Sequence, residues 1–253
     1  MNLKNKNIIL TGASSGIGFE LAKKIAAEKC NLALLSRRIE IIEKSALSLS
    51  NTGSHVIAVK CDISNKDEVT EAFNYVKKSF GSIDAAILDS GTSSLISANE
   101  FNSDAAKQMF DVNVMGMVYC IEALLPDFIK NRSGLIVGVS SLADGRGFPR
   151  SGVYCASKAA ASIFLESMRS ELKKYNIKVL TVKPGFVKTP MTAKNNFIMP
   201  FLMNPDKAAS IILSGIKKEK RIIQFPLPTV LGAKIMRLLP NPIFEYIAAR
   251  VNQ

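Results

Sequence analysis

Short aliphatic runs alternate along this chain with longer stretches in which apolar residues return every three or four positions. The runs predict strands at Lys6–Thr11, Asn31–Ser36, His55–Lys60, Ala85–Leu88, Leu135–Val139, Lys178–Val182 and Arg221–Phe225. The periodic stretches predict helices from the glycine-rich turn to about Lys29, over Glu40–Ser50, about Asn65–Lys78, about Ser103–Lys130, about Ser151–Tyr175 and Asp206–Lys217. Runs this apolar suit parallel strands covered on both faces. Their regular alternation with helices predicts an α/β fold, a doubly wound parallel sheet in a single domain over 1–253. Beyond the last strand, about 226–253, Val230-Leu231, Ile235-Met236 and Leu238-Leu239 fall at helical spacing and predict a C-terminal helical extension.

Composition narrows the function classes. The chain is 47% apolar and 21% charged, a globular balance. Lys and Arg number 33 against 21 Asp and Glu, a net charge of +12. Such a surplus suits nucleic acid, an anionic membrane or a phosphorylated ligand. The lysines are spread over several helices without aromatic interleaving, so no nucleic-acid partner is expected. His55 is the single histidine, which excludes mechanisms built on a His pair. Cys30, Cys61, Cys120 and Cys155 form no CxxC pair, so no metal site is expected. Reduced thiols and a start without a secretory pattern predict a cytoplasmic protein. No stretch reaches the roughly 20 apolar residues of a membrane span.

The glycine turn brings in chemistry. Gly12, Ser14, Ser15, Gly16, Ile17 and Gly18 lie between the first strand and the first helix. Gly12 permits a tight turn, and Gly16 and Gly18 open a helix N-terminus whose N–H groups and dipole favour a pyrophosphate. NAD binders usually place an acid at the end of the second strand. Here Ser36, Arg37 and Arg38 stand there instead. A guanidinium suits a 2′-phosphate, so NADP(H) is expected over NAD(H), with Arg37 as the main contact and Arg38 a second partner or a solvated charge.

Tyr154 and Lys158 share one helix face at i and i+4. An ammonium beside a phenol favours the phenolate, which lowers a pKa near ~10 and makes Tyr154 a usable acid/base. Ser141, thirteen residues earlier, has a hydroxyl for a carbonyl oxygen.

TGASSGIG at 11–18, Cys61-Asp62-Ile63, Val112-Asn113-Val114, Ser140-Ser141, YCASK at 154–158 and Val182–Pro190 together resemble the short-chain dehydrogenase/reductase family over about 4–225. The resemblance implies a Rossmann-type fold and hydride transfer between a nicotinamide and a ketone or secondary alcohol. It implies Tyr154 as catalytic acid/base, Ser141 (rather than Ser140, by its spacing) as the carbonyl-polarising group, and Lys158 as the ribose ligand that tunes Tyr154. Asn113 resembles the residue that holds a relay water. Asp62 and Ile63 resemble adenine contacts, and Pro184, Gly185, Val187 and Thr189 the stretch at the carboxamide and phosphate end. Where the family carries Asn-Asn-Ala-Gly, this chain has Leu88-Asp89-Ser90-Gly91. Gly91 still permits close approach to the ribose, whereas Leu88 loses polar contacts and is expected to loosen the central sheet.

The segment about 188–204 resembles a substrate lid. Its Met and Phe residues predict an adaptable apolar pocket and a lipid-, steroid- or acyl-like substrate, with no arginine cluster for an acidic one. The two long helices resemble the pair that builds homodimers or homotetramers in this family. Lys234, Arg237 and Arg250 make the extension a candidate for peripheral membrane contact, beside self-packing or a subunit interface. The competing reading is a dinucleotide-binding regulator without turnover, for which the full Asn113, Ser141, Tyr154 and Lys158 set is unnecessary.

Overall fold

The computed structural model describes residues 1–251. Seven parallel strands form one sheet: β1 (Asn7–Thr11), β2 (Asn31–Ser36), β3 (His55–Lys60), β4 (Ala85–Leu88), β5 (Gly134–Val139), β6 (Ile177–Pro184) and β7 (Ile222–Phe225). Their order across the sheet is β3-β2-β1-β4-β5-β6-β7. The order reverses beside β1, between β1 and β4, so the chain turns away in opposite directions there and opens a crevice at the strands' carboxyl ends.

The helices are α1 (Gly16–Ala26), α2 (Ile39–Ser50), α3 (Lys66–Phe80), α4 (Ser103–Phe110), α5 (Gly116–Asn131), α6 (Gly152–Glu171), α7 (Pro205–Lys217), α8 (Leu227–Leu238) and α9 (Asn241–Val251). Alternation within each strand divides the core. Ile8 and Leu10 of β1 join Leu21, Ile42 and Ile212 on one face, while Ile9 joins Phe73, Leu124 and Leu165 on the other. The first face carries α1, α2 and α7, and the second carries α3, α5 and α6.

Several boundaries differ from expectation. α1 stops at Ala26 because Glu28 N–H turns back to Ile25 and Lys29 takes a left-handed φ of 58°. The predicted helix at 103–130 is interrupted by one π-turn, Asp111–Met115. That turn is where Asn113 is drawn inward. The Ser103–Asn131 stretch is long and apolar enough to cross a membrane by composition, but its Met117, Cys120, Leu124 and Phe128 pack on the sheet. The extension is two helices with a break at Leu239 and Pro240.

Leu88 does not loosen the sheet. It is buried, pairs in register with Thr11 and Gly138, and packs with the second core face. An apolar residue there replaces polar contacts with burial.

Candidate active site

The loop after β1 shapes one end of the crevice. Gly12 and Gly16 have φ of 73° and 59°, a region only glycine enters freely. A Cβ on Gly12 would stand 2.8 Å from Ser90 N. Gly18 lies beneath the turn, where a Cβ would meet Gly12 O at 2.4 Å and Asp89 Oδ2 at 2.7 Å. The α1 N-terminus is therefore bare on the side facing a cavity of about 350 Å³. Gly12, Ser14, Ser15, Gly16 and Ile17 line it. These residues fit a dinucleotide: backbone N–H groups, no side-chain obstruction and a favourable dipole.

Ser36, Arg37, Arg38, Asp62 and Ile63 line the same cavity. Their geometry reorders the two arginines. Arg38 Nη2 donates to Ser14 Oγ and Ser15 Oγ, both at 2.8 Å, and Ser36 Oγ donates to Ser14 Oγ at 2.8 Å. Arg37 instead reaches Asp62, Nη1 to Oδ2 at 3.6 Å. Asp62 is held below the ordinary carboxylate range: the Ser64 side-chain and backbone bonds and Arg37 outweigh its burial.

At the middle of the cavity stand Gly91, Ser141, Tyr154 and Lys158. The choice between the two serines is geometric. Ser140 is buried, donates to Lys158 O at 2.8 Å and contacts Ser162 Oγ at 2.8 Å. Ser162 also bonds Asp144, which pairs with Lys183. Ser140 thus belongs to a network that anchors α6 to β5. Ser141 accepts from Ala143 N–H at 3.1 Å and is bonded to Tyr154. Both the Ser141 and Tyr154 side chains line the cavity.

Lys158 is buried, donates to Val139 O at 3.1 Å and sits 6.0 Å from the Tyr154 ring centroid. Burial lowers its pKa to about 8, opposed by Asp89. Burial also raises Tyr154, and the Ser141 bond only partly opposes it. This corrects the expectation of a phenol already lowered by Lys158. In the protein alone, the charge facing the lysine is the Asp89 carboxylate, which Gly18 N–H also bonds and which burial raises to about 7.

Besides Gly18, beneath the turn, two expected residues lie outside the cavity wall. Asn113 is buried, and its side chain clamps Thr92: Nδ2 donates to Thr92 O at 2.9 Å, and Thr92 N–H donates to Oδ1 at 2.8 Å. Nδ2 also bonds Ser157 Oγ. Gly185 packs under α8, where a Cβ would stand 3.1 Å from Thr229 Cγ2. Pro184, Val187 and Thr189 do line the cavity. The lid is pinned at both ends, since Lys188 N–H donates to Met203 O and Met203 N–H to Phe186 O, each at 2.9 Å. Thr192 ties its first turn to Val187 O at 2.7 Å.

Sequence reasoning did not assign Ser90 and Thr92 to the wall; they line it beside Asp89, from the departing Leu88-Asp89-Ser90-Gly91 stretch, and Met191, from the expected lid. It also missed a second cavity, lined by Ser93, Ser94, Leu95, Arg150, Met191, Lys194, Asn195 and Asn196. Arg150 lies far from the lid in sequence, so only the fold reveals that meeting. Among the described residues no group of three metal-ligating side chains occurs.

The short chain dehydrogenase family model matches residues 6–197. An uncharacterized oxidoreductase of Myxococcus xanthus is 32% identical over 246 residues, 97% of each chain. One of Listeria innocua is 30% identical, covering 88% of this chain and 94% of its own. Among solved structures, a short chain dehydrogenase/reductase of Burkholderia phymatum in complex with NAD superimposes with a TM-score of 0.86 at 20% identity, covering 98% of this chain and 96% of that one. An alcohol dehydrogenase of Thermococcus sibiricus complexed with 5-hydroxy-NADP gives 0.78 at 26% identity, covering 87% and 94%. With the glycine turn, the sheet order and the Ser141, Tyr154, Lys158 cluster all in place, the chain belongs to the short-chain dehydrogenase family of oxidoreductases.

Proposed function

We propose that this protein is an NADP(H)-dependent reductase or dehydrogenase acting on a ketone or secondary alcohol with an apolar body. The observation that carries the reading is the convergence of Ser141, Tyr154 and Lys158 on the wall of the cavity that begins at the bare α1 N-terminus. A bound nicotinamide supplies or accepts the hydride. Ser141, fixed by Ala143 N–H, donates to the substrate oxygen and stabilises its developing charge. Tyr154 gives its proton to that oxygen in reduction and takes it back in oxidation. Lys158 keeps two N–H donors free of Val139 O, suited to ribose hydroxyls. Asn113 acts on the site by holding the backbone of Thr92.

NADP over NAD is supported by the two guanidiniums in the wall and by the serines that orient Arg38. An apolar body is supported by Met191 in the wall and by the lid's Phe197, which packs on Phe186. Exposed Phe110, Met115 and Ile163 on and beside α4–α6 support a homodimer or homotetramer through those helices. The exposed row Leu227, Leu231, Ile235 and Leu238 of α8, with Lys234 at its edge, supports contact with an anionic lipid surface. Four free, buried cysteines suit a reducing cytoplasm.

The test is loss of NADPH absorbance with a panel of ketones. Tyr154→Phe is expected to lose turnover by at least ~100-fold while still binding NADPH. NADPH binding with equal, background-level rates in wild type and variant would make the protein a dinucleotide sensor instead.

A further inference from the structure

The second cavity has no part in the chemistry just described. It is walled by three segments distant in sequence: the loop after β4, the loop before α6 and the lid. Their meeting is fixed by specific contacts. Ile96 N–H donates to Arg150 O at 2.8 Å, joining the first two segments. Arg150 Nη1 donates to Asn196 Oδ1 at 3.4 Å, joining the third. Arg150 holds a left-handed φ of 61°, uncommon for a non-glycine residue. Met191 belongs to both cavity walls, so the second cavity adjoins the catalytic one.

The lining is cationic. Arg150 and Lys194 both face this space, and among the described residues neither forms an ion pair. Ser93, Ser94, Asn195 and Asn196 add neutral hydrogen-bonding groups. By contrast Arg37 and Lys158, in the neighbouring cavity, each face a carboxylate. Two uncompensated cations among hydroxyls and amides are the chemistry that recognises a carboxylate or a phosphate.

We infer that the cavity around Arg150 and Lys194 is an anion subsite, which receives a carboxylate or phosphate at the end of the substrate remote from its carbonyl. The substrate is then amphipathic: a reducible carbonyl at Tyr154 and Ser141, an apolar body along Met191, and an anionic end at Arg150. This rests on the reading of the first cavity as the carbonyl site, and it replaces the expectation of a substrate without acidic groups.

Two experiments on the full chain separate the inference from that reading. The first needs no turnover. Arg150 is modified with phenylglyoxal and followed by mass spectrometry, with Arg132 as internal control, in the presence of hexanoate, hexyl phosphate or hexanamide. Protection of Arg150 by an anion of at least ~3-fold over the amide, reduced by added salt, is expected. The stronger protector identifies carboxylate or phosphate. Equal protection by all three compounds, or by none, overturns the inference whether or not the protein is a reductase. The second compares straight-chain methyl-ketone acids of increasing length with their methyl esters. The acid is expected to win by about tenfold in kcat/KM at one preferred length, within the range of a charge-assisted contact. Arg150→Ala and Lys194→Ala should each drive that ratio toward one. Turnover of ketones with an acid-to-ester ratio at or below one, unmoved by either variant, also overturns it. Protection of Arg150 without turnover of any ketone would sink the reductase reading and leave the anion subsite standing.

Discussion

Replacing Asp89 by Asn should change the titration of Lys158 and remove a limb from the stability profile. Asn keeps the shape and one acceptor for Gly18 N–H, and removes only the charge. In the wild type, burial brings Lys158 to about 8 against the opposing pull of Asp89. Two unit charges ~6–8 Å apart, too far to form a contact pair, interact by ~2–3 kcal/mol at an effective dielectric of about 20. Since 1.36 kcal/mol corresponds to one pH unit, neutralising Asp89 should move the Lys158 midpoint down by about 1.5–2 pH units, below neutrality. Trace acetylation with acetic anhydride, read as Lys158 modification against pH by mass spectrometry, reports that midpoint directly. Stability gives an independent sign. Asp89 titrates at about 7 in the folded chain and ~3.9 when unfolded, so its contribution is complete below pH ~4 and is lost as pH rises through 7. Lys158 runs the other way: its folded value is depressed to about 8, so stability recovers as pH rises from 8 toward ~10.4. Thermal melts should therefore show a sag near pH 7–8 in the wild type and a flatter acidic side in Asp89→Asn. Equal Lys158 midpoints together with parallel melting profiles would refute the coupling.

The cofactor contacts are tested by Arg38→Ala. Loss of a charge-assisted contact, discounted for solvent exposure, should weaken NADPH by about tenfold and NADH far less, read by cofactor fluorescence; an unchanged ratio rejects the assignment. Arg146 holds the extension through Met236 O at 3.2 Å and Asn241 Oδ1 at 2.9 Å, and its guanidinium lies 4.3 Å from the Phe244 ring. Arg146→Ala should speed hydrogen exchange in α8 and α9 while leaving α1 protected, and uniform exchange rates would contradict it. Burial raises all four thiols, Cys61 to about 12. Ellman's reagent at pH 8 should label none of them in the native protein and four after denaturation.

The strands were legible because burial on both faces demands continuous aliphatic runs: β2, β3 and β4 begin and end where those runs do. The break between α4 and α5 was not legible, since an inserted π-turn leaves the apolar periodicity on either side intact. The glycine turn could be read because only glycine satisfies both its φ angles and its clearances. Adjacent residues were harder. Arg37 and Arg38, like Ser140 and Ser141, differ by one position, and a one-residue step at a strand's end sends neighbouring side chains to different partners. Arg38 takes the serines and Arg37 takes Asp62; Ser140 and Ser141 both reach the cavity wall, but Ser140 is bonded into the Ser162 network and Ser141 to Tyr154. The partners of Asp89 and Arg150 were not legible, because Lys158 and Asn196 lie far along the chain and meet them only through the fold.

The positive groups along the two cavities differ in what they already hold. Arg37 pairs with Asp62, and Lys158 faces Asp89. A ligand arriving at either must compete with an internal carboxylate, so part of its Coulomb energy is offset by the contact it weakens. Arg38 bonds only neutral hydroxyls, and Arg150 a neutral amide. An anion at those two positions adds a charge-assisted contact without removing one. Discrimination between ligands should therefore concentrate at Arg38 and Arg150, with the paired cations positioning the chemistry between them. Salt provides the check: affinity contributed through Arg38 and Arg150 should fall more steeply with ionic strength than affinity contributed through Lys158, whose charge is buried and poorly screened.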